Sequence, residues 1–250
     1  MAGAEHLLHN LPNRLGPDVR VVRAPCMGAC DRAPVCAVGH VQVMRATTDS
    51  VASAVVDGAH AFAHFPFKLE DLGCDYYGTS LHKWLLAPIG TGFLYVRREN
   101  IESLWGLTPT AASRAKDIRK FEEIGTHPAA NHNAIAEALS FHEGMGIDRK
   151  SARLRYLRNR WATRLVKTGK FTLHTSMDPA QSCAIGTVQV RGVPTGKAVG
   201  TLWEKWRIIA TPIVTPEYEG IRVTPNVYTT LAEIDTFSTA MEELAAKKPA

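Results

Sequence analysis

The sequence predicts an α/β protein whose carboxyl-terminal part is a smaller α+β domain. Three observations carry this. Short apolar runs with little polar alternation lie between glycine turns from residue 50 to about 127, the pattern of strands buried on both faces. From about residue 131 the apolar spacing becomes helical. Beyond residue 148, strands and amphipathic helices follow one another at the spacing of a small α+β unit.

The elements follow in order. Ser53 to Val56 reads as a buried strand ending at Asp57. Asp75 to Gly78 is a second, short strand, and Gly92 to Val96 a third, entered from the turn Pro88, Ile89, Gly90. Ala134, Ile135, Ala138, Leu139 and Phe141 have helical spacing, with stops at Gly144 and Gly146. A basic helix follows, rich in arginine from Arg149 to Arg164, with Leu154, Leu157, Trp161 and Leu165 on one face. Its charges read as a solvated face. Phe171 to His174 and Ile185 to Val190 are strands, a helix lies near Val199 to Trp206, and Ile221 to Val223 is a further strand. The last helix opens with Thr230 and Glu233 in capping-box spacing and carries Ile234, Phe237, Met241 and Leu244 on its apolar face.

Chemistry concentrates at two points. Asp57 ends a strand, where ligands gather in open α/β sheets. Downstream, Lys83 is flanked by Thr79, Ser80, His82 and Trp84, with Leu81, Leu85 and Leu86 around it. Apolar neighbours desolvate an amine and favour its neutral, nucleophilic form. A lysine for a Schiff base, a carboxylate for a pyridine nitrogen and small polar groups for a phosphate are the minimum equipment for pyridoxal phosphate. Taken singly, each residue has a plain reading: Asp57 before Gly58 caps a turn, Lys83 is a surface lysine, and His60 and His82 are structural.

Taken together, residues 50 to 250 resemble the class V aminotransferase family of fold-type-I pyridoxal-phosphate enzymes, and within it the isopenicillin N epimerase-like branch. The resemblance rests on the run from Val56 to Ala61, on Asp75 to Trp84, on Pro88 to Tyr95, on Glu123 to Thr126 and on Gly220 to Pro225. It implies the later part of a fold-type-I large domain, a mostly parallel sheet with helices on both faces, over residues 50 to 147. A small α+β domain would then occupy 148 to 250. It implies that Lys83 carries pyridoxal 5'-phosphate as a Schiff base and shuttles the α-proton of an amino acid substrate. Asp57 would pair with the pyridine nitrogen, and His60 would lie against the ring hydroxyl. Ser80 and His82 would hold the phosphate, and Thr126 would reach the phosphate in a neighbouring subunit of a homodimer. Arg222 would bind the substrate carboxylate, a task that suits its planar fork; without the resemblance it reads as a strand-edge charge. Cysteine desulfurase, a sister activity, needs a cysteine on the loop ahead of that arginine. Ile208 to Tyr218 has none, and Cys183 lies further upstream.

The resemblance also implies an N-terminally shortened member, because the family carries a longer first half before the Asp57 motif. Residues 1 to 49 read as an appended segment. Within it, Ala24 to Pro34, with Cys26 and Cys30, resembles half of the thioredoxin-like [2Fe–2S] subunit of NADH and formate dehydrogenases. A cluster of that kind needs four thiolates, so Cys26 and Cys30 form only a half-site, and no other metal site is expected. The function expected is a transaminase or epimerase-like enzyme acting at an amino acid α-carbon. The alternatives are a non-catalytic remnant and an iron–sulfur electron-transfer fragment.

Composition fits this frame. The chain has 250 residues, 45% of them hydrophobic and 21% charged, with a formal net charge of +5. Tyr156 and Trp161 stand in the basic helix but form no alternating series with its arginines to stack bases, so a nucleic-acid partner is not expected. No apolar stretch approaches the length of a membrane span and no signal peptide is evident. Five cysteines without secretory context point to a reducing cytoplasm.

Overall fold

A computed structural model describes residues 55–246 together with the backbone of two short strands, β1 (Cys36–Val38) and β2 (Val41–Val43). These two pair antiparallel, Cys36 opposite Val43. Cys26 and Cys30 lie outside the described residues. The chain divides into two compact units, the residues up to Ala63 with Phe67–Gly144, and His64–Pro66 with Met145–Ala250.

In the first unit, β3 (Val55–Asp57), β4 (Tyr76–Ser80) and β5 (Gly92–Val96) form a sheet in that order. The β3–β4 pair is parallel, Asp57 opposite Gly78, and the β4–β5 pair is antiparallel, Ser80 opposite Gly92. The connections account for the difference. A long crossover containing the 3-10 turn Glu70–Leu72 returns the chain to the same end for β4, whereas the shorter bend after Ser80 reverses it into β5. The mostly parallel sheet expected from the sequence is therefore represented by one parallel pair carrying an antiparallel neighbour. Val56, Cys74 and Tyr77 form its buried centre, against Phe62, Phe67 and Tyr95. Two helices follow, α1 (Ala129–Asn133) and α2 (Ile135–Met145). The helix runs through Gly144 and stops at Gly146, whose φ of 78° ends it.

In the second unit, α3 (Ile147–Lys167), α4 (Thr195–Trp206) and α5 (Leu231–Ala246) accompany the strands β6 (Phe171–Leu173), β7 (Gly186–Val190), β8 (Thr211–Val214) and β9 (Glu219–Val223). The strands form an antiparallel sheet in the order β6-β7-β9-β8. Leu157, Trp161 and Leu165 of α3 meet Val188 of β7, Ile221 of β9 and the apolar face of α5 in one core. Trp161 stands edge-on to Phe237 at 5.8 Å. The capping box at α5 forms: the Thr230 N–H donates to Glu233 Oε2 at 2.7 Å, and the Glu233 N–H to Thr230 Oγ1 at 3.2 Å.

Two features depart from the sequence reading. Strand β8 was not expected; it is an edge strand containing Pro212, and a sheet edge is a place where proline need cost no ladder bond. The basic face of α3 is not simply solvated. Arg160 pairs with Asp235 and Arg164 with Glu242, each in a two-bond fork at 2.7 to 2.8 Å. Arg158 is fully buried and donates to the Ser176 carbonyl and Ser182 Oγ, and Lys150 is 1% exposed. Cys183 is buried beside them and donates to the carbonyls of His64 and Ser151. His64 Nε2 accepts the Ala184 N–H at 3.0 Å, which anchors the segment His64–Pro66 within this unit. Among the described residues no helix is long and apolar enough to cross a membrane.

Candidate active site

The parallel pair places Asp57 at the carboxyl end of β3, level with Gly78 on β4. Here the chain turns sharply. Asp57 Oδ1 accepts the Ala59 N–H at 2.9 Å, so the plain turn-capping role weighed for this residue is present, and the carboxylate stays exposed. The Gly58 N–H donates to the Gly78 carbonyl at 2.7 Å, and the Gly58 carbonyl accepts Thr79 Oγ1 at 3.1 Å. Only glycine fits, because a Cβ at position 58 would lie 1.9 Å from Tyr77 Cζ. Burial pushes the Tyr77 phenol well up, so it stays a neutral donor, aimed at the Gly58 carbonyl at 3.4 Å.

This turn delivers His60 to the lysine. Lys83 lies just past β4, in a bend held by the Leu81 N–H donating to the Thr91 carbonyl and the Ala87 N–H to the Leu81 carbonyl. Leu86 closes the bend in the left-handed region at φ 66°, a strained setting for leucine. Leu81, Trp84 and Leu85 are buried, and Lys83 is half-buried above them. Lys83 Nζ lies 3.5 Å from His60 Nε2, and on the opposite edge of that ring the Trp84 indole N–H donates to His60 Nδ1 at 3.2 Å.

Of the residues singled out in the sequence, His60 and Lys83 are brought into contact, with Asp57 three residues ahead of His60 on the same turn. Ser80 is half-buried at the end of β4 and His82 is exposed, so both flank Lys83 along the chain. Thr126 is exposed in the loop after the 3-10 segment Ile118–Phe121, next to Gly125 at φ 75°. Arg222 belongs to the second unit. It sits on β9 opposite Thr187 and Thr211, and its buried Nε has no hydrogen-bond partner among the described residues. Cys183 is buried and its thiol is pushed up by that burial, the opposite of a reactive nucleophile. The sequence reading missed the Trp84–His60 bond; the signal was an obligate indole donor beside Lys83.

The site thus sets a lysine amine against an imidazole, on a bend after a strand whose parallel neighbour ends in a carboxylate. Residues 38–211 match the model of the aminotransferase class-V family, and the chain belongs to that family. The match begins inside the segment that the sequence reading set apart and leaves Cys26 and Cys30 outside it. The isopenicillin N epimerase of Streptomyces clavuligerus is 31% identical over 212 residues, which are 78% of this chain and 53% of that protein. Among solved structures, the apo cysteine desulfurase of Thermococcus onnurineus superposes with a TM-score of 0.65 at 21% identity, over 79% of this chain and 53% of that one. A variant of the lyase C-DES with glycine covalently linked to the PLP cofactor gives 0.62 at 19% identity, over 76% and 51%. The chain spans about half the length of the relatives it matches, and its architecture is part of the fold-type-I arrangement.

Proposed function

We propose that this chain provides the lysine half of a pyridoxal-phosphate site that acts at the α-carbon of an amino acid, in the manner of a transaminase or epimerase. The observation that carries the reading is the half-buried Lys83 amine set 3.5 Å from His60 Nε2. The residue types suit the cofactor: an amine for its aldehyde, the Asp57 carboxylate for its ring nitrogen, His60 for its hydroxyl, and Ser80 and His82 for its phosphate, with Thr126 reaching the phosphate of a neighbouring subunit. When bound, pyridoxal phosphate draws electron density from the amino acid α-carbon. Lys83 would hold the cofactor through its amine and would take and return the proton at the amino acid Cα. Asp57 would pair with the pyridine nitrogen and keep it protonated. Arg222 fixes the substrate carboxylate, a task that its planar two-donor fork suits. The first unit then corresponds to the later part of the cofactor domain, residues 50 to 147, and the second to the small domain, 148 to 250.

The test uses the full chain mixed with pyridoxal phosphate, reduced with borohydride, digested and mapped by mass spectrometry. The expected result is one pyridoxyl label, on Lys83, absent from Lys83→Ala. A label on another lysine that persists in Lys83→Ala overturns the assignment.

The working form proposed is a homodimer in a reducing cytoplasm, a setting that suits the free thiols of Cys74 and Cys183. Trp105 and Leu107 support the dimer. They are two residues apart and 92% and 99% exposed, large apolar side chains that association would cover. Light scattering at micromolar concentration is expected to give twice the chain mass, and a uniform monomer would count against it.

A further inference from the structure

We infer that Trp84 is a positioning residue that fixes the tautomer of His60, so that the imidazole presents an N–H, and not a lone pair, to Lys83. This rests on the proposed role of Lys83 and assigns a role to a residue outside that proposal. An indole nitrogen can only donate. Trp84 is 4% exposed, and a buried indole N–H takes an acceptor; here the acceptor is His60 Nδ1 at 3.2 Å. Nδ1 therefore carries the lone pair, and in the neutral ring the proton resides on Nε2. Nε2 is the nitrogen facing Lys83 Nζ at 3.5 Å. The rings meet edge-on, with centroids 6.2 Å apart and planes at 67°, which places the indole N–H toward the edge of the imidazole.

The consequence is specific. His60 does not serve as a base through Nε2. It donates a hydrogen bond to a lone pair presented at the Lys83 position, such as an anionic oxygen of a ligand. Protonating Nδ1 would set two donors head to head at the buried edge.

The experiment is imidazole ¹⁵N NMR on the full chain without cofactor, at about pH 8, where an ordinary histidine is neutral. His60 is assigned by the signal lost in His60→Ala. The expected spectrum has His60 with a protonated Nε2 and a bare Nδ1, and Trp84→Phe shifts it toward a mixture of tautomers. A protonated Nδ1 in the wild type, or an unchanged tautomer in Trp84→Phe, overturns the inference. Should Trp84→Phe fail to fold, the exposed His60 provides the second measurement. In His60→Ala the Trp84 indole proton is expected to exchange with solvent roughly fivefold faster, the worth of one ordinary hydrogen bond. Unchanged exchange overturns the inference equally. No cofactor enters these readouts. A missing pyridoxyl label on Lys83 would defeat the proposed function and leave the tautomer assignment standing, and the reverse also holds.

Discussion

Gly58→Ala is expected to cost the first unit several kcal/mol of stability and to abolish pyridoxyl labelling of Lys83. An added Cβ would lie 1.9 Å from Tyr77 Cζ, 2.1 Å from its Oη and 2.4 Å from Cε2. A flexible side chain could swing aside, but Tyr77 cannot. It is 0% exposed, stacked on Phe93 at 5.7 Å and tilted against Phe67 at 5.9 Å. Nor can the backbone retreat, because the Gly58 N–H and carbonyl are committed to Gly78 and Thr79. Overpacking of a filled site costs about 1–3 kcal/mol, and more where both sides are fixed. The effect reaches chemistry because His60 is two residues further on. Urea unfolding compares Gly58→Ala, Tyr77→Ala and the double variant. The double is expected to be more stable than the two single losses added together, since Tyr77→Ala removes the atoms that clash. An unchanged midpoint in Gly58→Ala would refute the argument.

The glycine shows what the sequence could and could not say. The strand end at Asp57, the apolar setting of Lys83 and the capping box of α5 were legible because each follows from local spacing: Val56 before Asp57, leucines around Lys83, Thr230 three residues before Glu233. The reason for glycine at position 58 was not, since Tyr77 is brought there only by the parallel register of β3 and β4. Strand β8 was hidden by Pro212 in a short run that keeps much of its surface in water. The roles of Trp84, Thr79 and Tyr77 depend on contacts across some twenty residues of chain, which periodicity does not encode. The burial of Lys150 and Arg158 is a different failure. Leu154, Leu157, Trp161 and Leu165 defined the apolar stripe of α3, and positions 150 and 158 lie one helical turn either side of Leu154, on the same stripe. The geometry was in the spacing, and charge masked it.

Lys150 yields the last expected result: the protein becomes more stable as pH rises from about 8 to 9, and Lys150→Met removes that rise. Burial is the main cause of its lowered pKa, down from 10.5 to about 8, and the nearby Cys183 opposes the shift only in part. A base weakened by folding carries its penalty in full below the folded value, where both states are protonated. Between about 8 and 10.5 the unfolded chain binds more protons than the native one, so stability rises with pH across that window. The whole displacement corresponds to about 3 kcal/mol, of which about 1 kcal/mol is recovered by pH 9. Cys183 acts in the opposite sense, because burial raises its thiol above 9.0 and the native state then holds a proton the unfolded chain gives up. The measurement is therefore made in a Cys183→Ala background, by urea unfolding at pH 7, 8 and 9. Lys150→Met is expected to be the more stable chain at pH 7, by up to about 3 kcal/mol, because an apolar side chain of similar length occupies the site without a charge to desolvate. Its stability should then change little toward pH 9. A Lys150→Met chain less stable than its parent at pH 7 would mean that the contacts of the ammonium outweigh its desolvation, and that the stripe of α3 was built around the charge.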